Sequence, residues 1–472
     1  MRGATVDRKP GALVRYFPPH IAFLWIAAIN LCLLCVLMPP FQVHDEFQHL
    51  FRAYQLSEGR LLGGGRDGVP GGRIPVSILN LVRRDWGTLA IWRIMPAGRH
   101  PLADTWSGFL HPLVPARRQF TEFLTADYAP ILYLPQIVGV GLGRMLGTSP
   151  LILLLLGRIA NAAASVTAIA FALRRMPYGG TAALAFALLP GAQIEYASVA
   201  PDASIIAAGF VLVALILDND RRGAWSRRDI VIGVVAATIL CSKLVYAPLL
   251  AAGVPGAWRQ ARTRGMGATT RPLVAPQLMI AAVGLGVGLL WFFGTAGHLS
   301  TPDTSHGQII AKMIAIWQHP VRFVTMLGED FPVHGVRYIF DFVGILGART
   351  LVLPQFVYPL ALAALLLSAL IARGPARPRS VACFWWYVAT VMSTIALVQT
   401  AMFLLNTKID DWRIVGVQGR YLLPIGGLAA AAATQFRRPE GEPGIGYALL
   451  LAALVGCTIG LDVGTIFGFH LF

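Results

Sequence analysis

Charge is scarce in this chain. Asp, Glu, Lys and Arg make up 13% of its 472 residues, about half their share in a typical soluble domain. Too few charges exist to cover the surface of a water-soluble fold of this size. Acidic residues are the scarcer sign, 23 against 39 basic, so each carboxylate outside a basic loop needs an explanation. Cysteine is rare as well: Cys32, Cys35, Cys241, Cys383 and Cys457 all fall inside apolar stretches. No disulfide framework follows from them. Cys32 and Cys35 have no second pair to complete a metal site and read as small packing residues. There is no Walker loop, no Rossmann glycine run after a strand, no G-x-S-x-G and no H-E-x-x-H, which leaves a nucleotide-driven soluble mechanism without support. The apolar segments do not alternate with period two, which argues against a β-barrel.

What the chain does have is long apolar runs, with 56% hydrophobic residues overall. Run after run supplies the roughly 20 residues a helix needs to cross a bilayer. The fold class that follows is all-α: a polytopic helical membrane protein of about 11 transmembrane helices. The net charge of +16 does not signal nucleic acid, because the arginines lie in short loops between spans and no basic stripe carries interleaved aromatics. Arg2, Arg8, Lys9 and Arg15 place residues 1–18 in the cytoplasm. Residues 19–38 form the first span; with no small-residue cleavage site it is retained and not a signal peptide. Residues 39–148 form a long extracytoplasmic loop carrying interfacial helices. Residues 149–472 form a multi-span domain with outer loops near 296–352 and 405–419. Within it, 180–198 reads as one span and 353–372 and 420–435 as others. Residues 230–257 read as a hairpin of two short spans turning near Ser242-Lys243.

The first span ends at Pro39-Pro40 and leads into His44-Asp45-Glu46-Phe47-Gln48-His49. Adjacent carboxylates beside a bilayer suit acid/base or metal chemistry at the membrane surface. On a helix, Asp45, His49 and Arg52 fall on one face, and a helix amino terminus stabilises the carboxylates. The alternative is a cap with a solvated face. Asp202, after Pro201, is the second acid and faces the same side; alone it reads equally well as a helix cap. Glu195 lies deeper, as a partner that makes the site acidic. Arg158, Lys243 and Arg420 lie where topology does not call for positive charge, and a headgroup phosphate accounts for them. Snorkelling or pairing is the other reading, and Arg158 is equally suited to pair with Glu195 or Asp202. If a metal is used, Asp45, Glu46 and Asp202 offer hard oxygen ligands for Mg²⁺ or Mn²⁺.

Several stretches together resemble the bacterial membrane family called domain of unknown function 2142. They are Pro40 to Gly59, with its Asp-Glu, His and Arg-Ala-Tyr; Leu189-Pro190 through Pro201-Asp202; Ser242-Lys243 with Tyr246-Ala247-Pro248; and Gln418-Gly419-Arg420-Tyr421 with Pro424. That family looks like a branch of the GT-C glycosyltransferases, whose layout of one span, a long outer loop opening on an acid, and a second acid after the third span is similar. The resemblance implies transfer of a sugar from a polyprenyl-phosphate donor to a glycan, lipid or protein acceptor, on the extracytoplasmic face of a bacterial inner membrane. It implies Asp45 as catalytic base or metal-adjacent carboxylate, with Glu46 and Asp202 as further acids. Lys243 and Arg420 fall to the lipid phosphate, and His49, Arg52, Tyr54, Arg158, Gln418 and Tyr421 to the substrate. The large carboxy-terminal soluble domain of many GT-C relatives is missing, so acceptor choice falls to the outer loops. A transporter or flippase for a lipid-linked or anionic solute, and a non-catalytic subunit of a polysaccharide assembly complex, are the competing readings.

Overall fold

The computed structural model describes residues 16–64, 70–86, 107–264, 271–295, 306–346, 351–376, 381–408, 413–439 and 444–471. The basic stretch Arg2 to Arg15 and parts of the loops at 39–148, 296–352 and 405–419 lie outside them. Among the described residues six helices are long and apolar enough to cross a membrane. In chain order the elements that position the site begin with α1 (Pro19–Leu37), α2 (Glu46–Ser57), β1 (Gly71–Pro75), α3 (Val76–Trp86) and β2 (Arg118–Glu122). Next come α4 (Leu134–Met145), α5 (Pro150–Arg175), α6 (Gly180–Ala187), α7 (Pro190–Tyr196), α8 (Asp202–Arg222) and α9 (Arg227–Cys241). A 3₁₀ segment, Leu244–Gly253, leads into α10 (Val254–Arg264) and α11 (Arg271–Thr295). Then follow α12 (His306–Gln318), α13 (Pro320–Val343), α14 (Val357–Ile371), α15 (Val381–Asn406), a second 3₁₀ segment at Gly419–Ile425, α16 (Gly426–Ala433) and α17 (Gly444–Ile466).

The tally of long helices falls short of eleven for a physical reason. Stretches that read as single spans are broken by proline or by 3₁₀ geometry. Residues 180–198 divide into α6 and α7, because Pro190 cannot continue the first helix. Residues 420–435 divide into the second 3₁₀ segment and α16. The run at 353–372 gives only the 15-residue α14.

At the centre stands α8. Its apolar stretch is buried throughout, packed on α5, α9 and both 3₁₀ segments. Its 21 residues rise about 30 Å, the thickness of a hydrocarbon core. One end carries Asp202; the other carries Asp218, which takes charge-assisted hydrogen bonds from Arg175, Arg221 and Arg222. The hairpin expected at 230–257 is present. The chain returns along α9 to bring Lys243 back to Asp202, then descends to set Arg259 against Asp220 at 2.7 Å.

The loop after α1 holds more order than its polar composition suggests. β1 and β2 pair antiparallel, Gly71 opposite Glu122 and Pro75 opposite Arg118, a ribbon that the sequence did not signal. α2 is buried from Glu46 to Leu56, so its polar residues face protein and not solvent. Outside it, Glu58 takes two hydrogen bonds from Arg118, at 2.8 and 2.5 Å. Burial tends to raise the Glu58 pKa, but this partner outweighs it and the net direction is down.

The segment at 296–352 reads as a polar outer loop, and its described part is built mainly of α12 and α13. On α13, Asp330 and Asp341 are buried, while Val321, Val324, Val333 and Val336 are more than half exposed. Arg322, Glu329 and Arg337 are exposed on the same helix, so its outer surface is mixed and its two buried acids face protein. Its far end lies directly on the second 3₁₀ segment: a Cβ on Gly419 would stand 2.3 Å from Phe342 N and from Tyr338 O.

Another close approach to this segment is at Gly209 of α8, where a Cβ would lie 2.2 Å from Pro424 O. Gly209→Ala should push α8 off the second 3₁₀ segment and cost about 1–3 kcal/mol. In detergent its melting temperature should drop, while Gly286→Ala, which meets nothing within 4 Å, leaves it unchanged.

Candidate functional site: a charged cluster at one end of the bundle

Two cations and three carboxylates from distant parts of the chain meet at the Asp202 end of α8. Each cation stands at the mouth of a proline-containing 3₁₀ segment: Lys243 caps Leu244–Gly253, and Arg420 is the second residue of Gly419–Ile425. The two segments are tied together by Tyr246, whose hydroxyl donates to Tyr421 O at 3.0 Å. Arg420 is the hub. Its Nη1 lies 3.2 Å from Glu195 Oε1 and 3.8 Å from Asp202 Oδ2, and its Nη2 lies 3.9 Å from Asp45 Oδ2. Lys243 Nζ donates to Asp202 Oδ1 at 2.7 Å and stands 5.8 Å from the centre of the Tyr128 ring. Arg420 lies 5.5 Å from the ring of Tyr421.

The carboxylates differ in how tightly they are held. Glu195 and Asp202 are nearly buried, at 4% and 9% side-chain exposure, while Asp45 is 38% exposed. Asp45 makes the longer contacts, 3.2 Å from Gln48 Nε2 and 3.4 Å from His44 Nε2. Asp45 is the loosest member of the group. Asp45 also adopts a left-handed backbone, φ 61°. Asp tolerates that region better than most residues. His49 N–H closes onto Asp45 O, so the turn opens α2 directly.

Glu46 does not join the cluster. It is fully buried and pairs with Arg158, Nε to Oε1 at 2.8 Å and Nη2 to Oε2 at 2.6 Å. The same guanidinium donates to Cys35 O, Met38 O and Pro39 O, carbonyls that the end of α1 leaves without helical partners. Glu46 also accepts from Phe41 N and Val199 N. This corrects the reading of Glu46 as a catalytic acid and of Arg158 as a substrate contact or a partner of Glu195 or Asp202. Between them they fasten α1, α2, α5 and the loop before α8. Arg52 likewise turns inward, to Tyr128 O at 3.1 and 2.6 Å, Leu61 O and Gln55 Oε1, and Tyr54 is wholly buried. His49 is buried, its Nδ1 2.7 Å from the hydroxyl of Tyr133. Burial lowers its pKa to about 3 against the pull of Asp45 and Asp202, so it is neutral at physiological pH. With Glu46 committed to Arg158, the trio Asp45, Glu46 and Asp202 is not gathered as a ligand set. No group of three His, Cys, Asp or Glu among the described residues is placed to hold a metal.

Two cavities border the second 3₁₀ segment, the first lined by Arg420 and the second by Leu422 and Ile425. One of about 30 Å³ is lined by Gln42, His44, Glu195, Asp341, Gln418 and Arg420. The other, about 280 Å³, is apolar and lined by Phe186, Phe331, Tyr338, Phe342, Leu422 and Ile425. The contributions of Tyr128, Tyr133 and Asp341 were not legible beforehand. The tyrosines sit in an apolar run that reads as a surface helix, and Asp341 comes from a loop assigned to solvent.

Residues 29–429 match the model of a family described as predicted membrane proteins. The chain belongs to the DUF2142 family. The matched stretch contains Asp45, Glu195, Asp202, Lys243 and Arg420, so the whole cluster lies in the part that defines a DUF2142 protein; α17 lies outside it. No curated protein and no solved structure matches the chain.

Two outcomes follow from the clamp and from His49. Glu46→Gln or Arg158→Met alone leaves a buried partner uncompensated and should cost about 3–5 kcal/mol. The double variant Glu46→Leu/Arg158→Met should be more stable than either, as read by thermal unfolding in detergent. For His49 the folded pKa lies below the unfolded value, so the unfolded chain takes up a proton first as pH falls. Its contribution to stability is complete above about pH 6.5 and declines progressively as pH falls toward 3. The melting temperature of His49→Gln should therefore fall less steeply than that of the parent over this window.

Proposed function

We propose that the chain is a membrane glycosyltransferase of GT-C type. It moves a sugar from a polyprenyl-phosphate donor to a cell-envelope glycan or lipid, with Asp45 as the base. The observation that carries this reading is the meeting of an exposed, loosely held carboxylate with Lys243 and Arg420 at the end of the helix bundle, with an apolar cavity lined by Leu422, two residues on from Arg420. A lipid phosphate requires those neighbours: positive charge for its head and hydrocarbon for its tail.

The chemistry follows from the distances. A phosphate oxygen competes for Arg420, and its weakest partner is Asp45 at 3.9 Å. Displacing that contact leaves Asp45 free to accept the proton of the incoming acceptor hydroxyl. The acceptor oxygen bonds to the anomeric carbon as the bond from that carbon to the phosphate oxygen breaks. The bonding electrons leave on the phosphate, where Arg420 and Lys243 stabilise them. The sugar–phosphate bond supplies the driving force, so no nucleotide is consumed. The apolar cavity beside Leu422, two residues from Arg420, suits the first isoprenoid units. In this reading the cluster faces the extracytoplasmic side of a bacterial inner membrane. A transporter is less favoured, because the charges gather at the end of α8 and not at its middle.

Purified protein incubated with a panel of polyprenyl-phosphate sugars should release or transfer sugar. Asp45→Asn, which keeps the shape and accepts the left-handed backbone, should lower the rate at least ~100-fold. Arg420→Ala should weaken donor binding more than turnover of bound donor. Undiminished transfer by Asp45→Asn would remove it as the base.

A further inference from the structure

The small cavity beside Arg420 holds polar atoms that the cluster does not use. Glu195 gives Oε1 to Arg420, but its Oε2 is buried with no hydrogen-bond partner among the described residues. Gln418 Oε1 and Arg420 Nε are in the same condition. The three residues are 3%, 6% and, for the Arg420 side chain, 10% exposed, and all three line this one cavity. Other buried polar atoms of the described residues also lack a protein partner, but here three of them line one cavity, and each calls for a partner from outside the protein.

The complement they ask for is specific. Glu195 Oε2 and Gln418 Oε1 each need a donor, and Arg420 Nε needs an acceptor. A phosphate oxygen has no proton to give the first two, and an ammonium group has no lone pair for the third. A hydroxyl both donates and accepts, and two neighbouring hydroxyls satisfy all three atoms. The volume, about 30 Å³, admits such a pair and not a whole sugar ring. The cavity therefore takes one edge of a ring and not the whole of it.

We propose that this cavity is a subsite for two adjacent hydroxyls of the donor's carbohydrate headgroup, held by Glu195, Gln418 and Arg420. The proposal rests on the sugar-transfer reading and names which part of the substrate the Glu195 side of the cluster recognises. The Lys243 side is left to the phosphate.

The test is binding to the full chain in nanodiscs. Polyprenyl phosphate is compared with the same lipid carrying a hexose, an N-acetylhexosamine or a pentose. For wild type, at least one headgroup should bind roughly tenfold tighter than the bare phosphate, and removing one of two neighbouring hydroxyls from it should abolish most of that gain. In Gln418→Leu and Glu195→Gln the gain should shrink toward one, and the deoxy headgroup should no longer be penalised. If a variant does not fold, the comparison of deoxy headgroups on wild type still decides. Failure of bare polyprenyl phosphate to bind wild type overturns the transfer reading itself. Binding of the bare lipid with no gain from any headgroup, or a gain that persists in both variants, overturns the subsite alone.

Discussion

The fold depends on one ion pair that no water reaches. Glu46 and Arg158 are at 0% and 1% side-chain exposure, and every nitrogen of the guanidinium is used. A charge pair in such a place contributes to stability only when its remaining hydrogen-bonding capacity is met, and here the frayed carbonyl end of α1 meets it. The arrangement fixes three things together: where the first span stops, the angle at which α2 departs, and the height of the loop that starts α8. Asp45 is adjacent to this clamp and Asp202 lies three residues beyond Val199, whose N–H also reaches Glu46. The clamp thus sets how far apart the two acids stand without touching anything they would act on.

Much of the fold was legible because hydrophobic run length is a direct readout of bilayer thickness. α1, α5, α8, α15 and α17 lie where their apolar runs place them, and the hairpin at Lys243 follows from a basic side chain between two runs too short to stand alone. What was not legible was local breakage. Residues 180–198 read as one span, yet Pro190 separates α6 from α7. Charge patterning did not show that Asp330 and Asp341 of α13 turn inward while neighbouring Glu329 stays exposed.

The site was legible to the extent that its members needed no partner to be recognised. Asp45, Asp202, Lys243 and Arg420 stand out as charges at span ends, and they meet. Helical spacing alone failed for Arg52, whose face is covered by the Tyr128 turn of a loop 76 residues away. It failed for Glu46 because adjacency on the chain hides opposite environments. One residue of the pair is the most exposed acid of the cluster, and the other is sealed in the core. A sequence does not tell which of two neighbouring carboxylates will be neutralised by an arginine from another helix.

α13 gives the site a close wall. Its inner side touches the backbone of Gly419, the residue before Arg420, and leaves no room there for a Cβ. A displacement of α13 is therefore passed directly to the guanidinium that joins the three carboxylates. The outer segment and the charged cluster are mechanically coupled at a single glycine.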